Sequence, residues 1–274
     1  MYSIVKKRFL EYINSISFSK EQENILNTLK LTHTNRVEKL SEILANSVFQ
    51  NYDNCNENII LSKIIAVLHD IGRWDQMKTH NGFTDNTDKT DHGEIGADII
   101  SQNDILKGFE YERRQTVLIA VREHNKKYIP AYDDLTQIFL NIIRDADRID
   151  NLYIEVENYS NKDTSMKSVL PFSDEHKLSK RIYDSIINSS LAEAKDRETK
   201  IDFKFFKMAW CFDMKIEKSI EIIRENKYIE DIYSDINAPD KTMRTAYEKI
   251  QQYLNNSCQA KFALCNAPLS ATIF

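Results

Sequence analysis

The amino-acid sequence predicts an all-α protein, and three observations carry that prediction. Glycine and proline number only 5 and 4 in 274 residues, whereas a β-rich chain of this size needs many more turn glycines. Apolar residues recur along the chain at helical rather than alternating spacing. Hydrophobic residues make up 42% and charged residues 29%, a balance that folds rather than staying disordered.

The elements follow in order. A first helix is predicted over about 4–16, and Ser19 caps a second running to about Leu29. A longer one spans about His33–Phe49. The asparagine-rich stretch Asn51–Asn58 reads as a loop. From about Ile59 to Asp70 the chain is apolar nearly all round, as a central helix must be. Gly72–Thr90 is polar and reads as a long loop, the kind that carries function. Asp91 with Glu94 three residues on resembles a capping box for a helix to about Ser101. Helices are then expected at about Tyr111–Asn125 and Asp134–Tyr153. Past Pro171 and Ser173, others fall at about Asp174–Ser189, Phe203–Asn226 and Lys241–Leu254. This divides the chain into N-terminal helices over 1–30, a core over 31–155, a helical extension over 156–254 and a tail of unassigned order over 255–274.

Composition excludes several classes. The formal charge is −5 and no basic run offers a face for duplex nucleic acid. A small anionic substrate stays compatible, because a bound metal reverses local charge. The longest apolar runs, such as Ile64–Leu68, are far too short to span a bilayer. Lys6, Lys7 and Arg8 are not followed by an apolar signal core, so the expected location is cytoplasmic. Cys55, Cys211, Cys258 and Cys265 form no CxxC pair and are expected to stay reduced. A homo-oligomer is left open.

Four of the six histidines lie on predicted apolar stripes. His33 shares a face with Val37, Leu40 and Leu44, at offsets of four, seven and eleven; His124 follows Val117, Ala120 and Val121; His92 leads Ile95 and Ile99. His69 ends the central helix, with Asp70 directly after it. One core histidine satisfied by a carbonyl is commonplace. Four, with a carboxylate beside one of them, match the ligand chemistry of divalent transition metals. Asp147 lies on the stripe of Leu140 and Ile143, where an Arg or Lys partner is the usual alternative to metal; Asp145 and Asp150 compete for the same role.

The order His33, His69-Asp70 in "VLHDIGR" and Asp147 in "RDADRID" resembles the HD superfamily of metal-dependent phosphohydrolases. His92 in "DHGEIGADII" and His124 in "REHNKKYIP" extend the likeness to the pattern H…HD…H…H…D. That pattern resembles members with two metals, including HD-GYP phosphodiesterases and bacterial diadenosine tetraphosphate hydrolases. The GYP signature is missing, which argues against cyclic di-GMP. "HDIGR", the Phe83-Thr84-Asp85 loop and the stretch Ile201–Ile236 resemble bacterial HD proteins of uncharacterised function that carry a C-terminal helical extension.

The resemblance, over about 31–155, implies an HD-domain helical bundle with that extension. It implies that His33, His69, Asp70 and Asp147 hold one ion, and that His92 and His124 complete a second with Asp70 bridging. Two divalent ions (Mn, Fe, Ni, Co or Zn) would hold a bridging hydroxide that attacks phosphorus, so Asp70 stands among the catalytic residues. The expected substrate is a small phosphorylated molecule, a nucleotide, cut at a phosphoester or phosphoanhydride bond. Arg73 is a candidate for gripping phosphate, with a surface arginine as the alternative. Lys126 and Lys127 either face phosphate or are solvated. Glu123 is a candidate general acid or partner of a ligand histidine. His80, in the predicted loop, is a candidate substrate contact, and His176 reads as exposed. Arg144 and Arg148, flanking Asp147, read as ion-pair partners of its helix. Trp74, Phe83 and Tyr128 either stack on a base or pack. Two other readings share the pattern: a catalytically silent nucleotide sensor and a di-iron oxygenase of the HD type.

Overall fold

The computed structural model describes residues 1–83, 85, 90–160 and 172–265, without the side chains of 158–160 and 257–265. Thr84, Pro171, the tail from 266 on and the side chains of Cys258 and Cys265 lie outside that description. Among the described residues there is no strand, only an isolated bridge between Ser173 and Thr199. No helix among them is long and apolar enough to cross a membrane. The chain divides into two compact units, Met1–Asp150 and Asn151–Phe274.

The first unit is built from α1 (Tyr2–Ser15), α2 (Lys20–Ile25), α3 (Thr32–Phe49), α4 (Cys55–Leu68), α5 (Gly72–His80), α6 (His92–Gln102) and α7 (Tyr111–Glu123), with α8 (Asp134–Ser160) beginning in it. The core lies on α4, where Leu61, Ile64, Ile65, Ala66, Val67 and Leu68 are all buried. Full burial of such a side chain is worth about 1.5–3 kcal/mol, so an all-round apolar helix takes the centre. Phe49 of α3 meets Phe139 of α8 at 5.2 Å, and Phe9 of α1 stands edge-on to Trp74 of α5 at 5.6 Å. Trp74 is thus a packing residue.

Three local expectations are corrected. Ser19 does cap α2, in a reciprocal pair with Gln22, but the helix does not stop near Leu29. A π-helical stretch, Leu26–Leu31, carries it into α3 without a break. The asparagine-rich segment gives way to α4 already at Cys55. Gly72–Thr90 is not all loop either, because α5 occupies Gly72–His80. Its polar residues read as a loop, yet Gly72, Trp74, Gln76 and Met77 are buried; burial against tertiary neighbours overrides weak local propensity.

Glycines let α5, α6 and α7 approach closely. A Cβ on Gly72 would lie 2.2 Å from the His92 carbonyl oxygen, and one on Gly93 2.6 Å from that of Arg122. Asp91 caps α6 through the amides of Gly93 and Glu94. Glu94 does not reciprocate as in a capping box; its carboxylate pairs with Arg122 and Lys126 of the α7 end.

The second unit contains α9 (Lys180–Ile187), α10 (Lys200–Met208), α11 (Glu217–Glu225), α12 (Tyr228–Ser234) and α13 (Lys241–Cys265). Buried Phe205, Met208, Ile223, Ile232 and Ile250 form its core. The single helix expected over Phe203–Asn226 is broken by a 3₁₀ segment, Ala209–Asp213. Apolar spacing continues on both sides, so the pattern alone hides the break. Lys227, in the left-handed region at φ 56°, separates α11 from α12. Cys55 and Cys211 are free thiols, and His176 is exposed.

Replacing Gly72 with alanine should cost about 1–3 kcal/mol, the usual penalty for overpacking. Gly82→Ala, whose Cβ would meet nothing nearer than 3.9 Å, should leave the urea midpoint almost unchanged. Equal midpoints for the two variants would rule out the close approach of α5 and α6.

Candidate metal centre

The six residues read from the sequence converge inside the first unit. His33 sits in the first turn of α3, His69 caps the C-terminus of α4 with Asp70 next to it, and His92 opens α6. His124 caps the C-terminus of α7, and Asp147 lies along α8. His33, His69, His92 and His124 are all at most 4% exposed, and Asp70 is 3%.

Each imidazole is held at Nδ1. His69 meets the Ala66 carbonyl at 2.7 Å, and His124 the Val121 carbonyl at 2.8 Å. Both acceptors are last-turn carbonyls that a helix end leaves without an amide partner. His33 meets Asp150 at 2.6 Å and His92 meets Asp85 at 2.9 Å. A carbonyl only accepts, so Nδ1 of His69 and His124 must carry the proton; the carboxylates impose the same tautomer on His33 and His92.

The Nε2 atoms therefore turn inward as lone pairs. They meet in two pairs, His33 with His69 at 3.2 Å and His92 with His124 at 3.0 Å. Two unprotonated nitrogens cannot hydrogen-bond to each other, so each pair is completed by a proton on one ring or by a cation beside it.

The carboxylates divide in the same way. Asp70 Oδ2 lies 3.6 Å from His33 and 3.8 Å from His69, whereas Oδ1 lies 3.2 Å from His92 and 4.0 Å from His124. Asp147 Oδ1 joins the first pair, 3.2 Å from His33 and 3.9 Å from His69. Two donor sets close enough to grip one ion each result: His33, His69 and Asp147, and His69, Asp70 and His124. The sharing of His69 follows from how tightly all six are gathered. A soft-to-borderline imidazole set with hard carboxylate oxygens is a fitting nest for divalent transition ions.

Titration follows from this crowding. Burial opposes charge on His33, but the hydrogen bonds to Asp147 and Asp150 outweigh it and push its pKa up to about 9. Burial, then the nearby imidazoles His92 and His69, press His124 down to about 3. Burial also lowers His69. Asp147 and Asp70 are pushed upward by burial, yet their cationic and imidazole neighbours hold both well below the ordinary carboxylate range.

Four residues absent from the sequence-derived set complete the surroundings. Lys30 places Nζ 3.0 Å from Asp70 Oδ2 and 5.0 Å from the centre of the Phe83 ring. It stands three residues before His33, on the same helical face once the π-helical join makes the helix continuous; a helix ending at Leu29 hid that signal. Asp150, which competed with Asp147 on paper, instead supports His33 and is clasped by Arg36 at 2.5 and 2.9 Å. Offsets of three put both aspartates on one face of α8. Asp85 lies in the loop whose likeness was noted without a role; no helical period marks it.

The remaining sequence candidates divide. Arg73 stays beside the centre, its Nε 3.4 Å from Asp70, its Nη2 3.2 Å from Asp85, and its Nη1 bonded to Gln76 and the Phe83 carbonyl. Nε itself makes no hydrogen bond. Lys126 pairs with Glu94 and with the buried Glu123. Lys127 lies over the Tyr128 ring, and His80 is exposed at the end of α5. Arg144 was expected to form an ion pair along α8. Its Nη1 donates to the carbonyls of Glu123 and His124, at the end of α7 that presents His124.

Residues 31–152 match the family model described as HD domain. Over that stretch the chain is similar to the HD domain, a helical fold typical of metal-dependent hydrolases. Neither curated proteins nor solved structures yield a match to the chain.

Two outcomes are expected from titrating metal-stripped protein with Mn²⁺. Below about pH 9 His33 holds a proton that an ion must displace. Affinity at the first nest should therefore rise about tenfold per pH unit between pH 6 and 8, while a flat profile would exclude that competition. Asp85→Asn, which removes the charged acceptor behind His92, should weaken Mn²⁺ binding by about 10–100-fold.

Proposed function

We propose that this protein is a metal-dependent phosphohydrolase that cleaves a phosphoester or phosphoanhydride bond of a nucleotide at a two-ion centre. The observation that carries the reading is the division of Asp70. One oxygen serves the His33–His69 pair and the other serves the His92–His124 pair, with Asp147 added to the first. That is a bridging carboxylate's position between two nests. His33, His69, Asp147 and Asp70 would hold one ion; His92, His124 and Asp70 would hold the other.

Divalent ions in such nests supply Lewis acidity toward phosphoryl oxygens and lower the pKa of water toward neutrality. The chain's own groups do the rest. Asp150 and Asp85 keep His33 and His92 in the tautomer that presents Nε2. Arg73 and Lys30 flank Asp70 and hold it ionised. Lys30, about one-fifth exposed and 3.0 Å from Asp70, is suited to meet a phosphate oxygen. Phe83, half-buried beneath it, offers a base a face to stack on. The nucleotide assignment rests on the HD likeness and on these two residues.

The test combines metal counting with a panel of phosphomonoesters, phosphodiesters and nucleotides in Mn²⁺. Near two ions per chain and hydrolysis abolished by Asp70→Ala are expected. Lys30→Met should keep its metal while KM rises about tenfold, the worth of one charge-assisted contact. Metal without turnover would transfer the protein to the nucleotide-sensor reading, and oxygen uptake by an iron form to the oxygenase reading.

A further inference from the structure

Gln76 is fully buried in α5, at 0% exposure. A primary amide shut off from water must find partners inside the protein for both its protons and its oxygen. Gln76 finds all three at the edge of the metal centre. Its Oε1 accepts from Arg73 Nη1 at 2.8 Å, and its Nε2 donates to Asp85 Oδ1 at 2.6 Å and to the Thr90 carbonyl. A flipped amide would set N–H against N–H and oxygen against oxygen, so its orientation is fixed.

Helical spacing puts it there. Gly72 and Gln76 are four residues apart and share one face of α5, the face that meets the first turn of α6, where a Cβ on Gly72 would strike the His92 carbonyl. Gln76 thereby reaches the two features that decide where His92 points. Asp85 is the acceptor behind the ring, its Oδ1 2.9 Å from His92 Nδ1 and 3.2 Å from the His92 amide nitrogen. Thr90 immediately precedes the Asp91 cap, so its carbonyl sets the entry into α6.

Asp85 lies outside any helix. Apart from His92 and Gln76, its donor among the described residues is Arg73, at 3.3 Å from Nη1 and 3.2 Å from Nη2. The Gln76 bond is shorter than either. The His92 ring also has a rival neighbour, because Asn125 Nδ2 lies 3.2 Å from the same Nδ1. An amide nitrogen bonds to Nδ1 only as a donor, which requires Nδ1 to give up its proton and Nε2 to carry it. Asp85 in place favours the opposite tautomer.

We propose that Gln76 is a positioning residue: it holds Asp85 and the start of α6, and through Asp85 it keeps the His92 ring protonated at Nδ1 with Nε2 free for an ion. The inference rests on the two-ion reading for what His92 binds, and on the hydrogen bonds for how its ring is set.

Gln76→Met keeps the length of the side chain and removes all three bonds. In metal-free protein carrying isotopically labelled histidine, His92 should lose its single Nδ1–H tautomer, while His69 and His124, held by carbonyls, keep theirs. A residue that served only the fold would not single out one ring. Mn²⁺ affinity should fall about tenfold in Gln76→Met. The double variant Gln76→Met/Asp85→Asn should bind no more weakly than Asp85→Asn alone, because both changes remove the same support. If Gln76→Met does not fold, the wild-type amide decides: the Gln76 Nε2 proton that faces Asp85 should shift upfield in Asp85→Asn. An unchanged His92 tautomer, losses that multiply in the double variant, or an unmoved Gln76 proton would each overturn the proposal. The altered His92 tautomer in a chain that takes up no Mn²⁺ would sink the two-ion reading and uphold Gln76 as the residue that sets the ring.

Discussion

Four imidazole Nδ1 atoms, each held from behind by an acceptor, set the terms for the whole centre. Two are held by carbonyls at the ends of α4 and α7, and two by the carboxylates of Asp150 and Asp85. With those tautomers imposed, the lone pairs of four Nε2 atoms are driven into one small buried volume. Such a volume favours positive charge. A proton on His33 supplies part of it, which is why its pKa rises while that of His124 falls. Metal affinity and the folded arrangement are therefore linked through the same nitrogens.

Much of the first unit serves that requirement. The two histidines at helix C-termini sit where the helix dipoles favour positive charge. Arg144 closes the carbonyls around His124, so its ring cannot drift from Val121. Gly72 and Gly93 remove the bulk that would hold α6 away from its neighbours, and that contact delivers His92 to Asp70. The π-helical stretch before α3 turns Lys30 toward the same carboxylate. Such stretches cost hydrogen-bond geometry and often mark functional sites, and here one brings a cation to Asp70.

Legibility in the sequence followed locality. His33, His92 and His124 could be read because each sits on a helix whose apolar stripe continues beside it. His69-Asp70 could be read because the pair ends the most apolar helix in the chain. Asp85 could not, because it lies in a segment without periodicity and meets His92 only after the loop folds back. Asp150 was visible as a rival of Asp147, yet which of the two faces the ring interior depends on where α3 crosses α8. Arg73, Lys126 and Glu123 have the right residue types for phosphate chemistry; the sequence did not show that Asp85, Glu94 and Tyr132 stand beside them.

The sequence by itself determined the helical class, the central place of α4 and the six converging side chains. Those depend on apolar spacing within single helices and on residue type, both of which are local. Only the tertiary structure decided which nitrogen each histidine presents, how Asp70 divides its oxygens, and that Lys30 belongs with His33. These are relations between residues from 3 to more than 100 positions apart, and the through-space distances that govern hydrogen bonds and charge interactions exist only once the helices have packed.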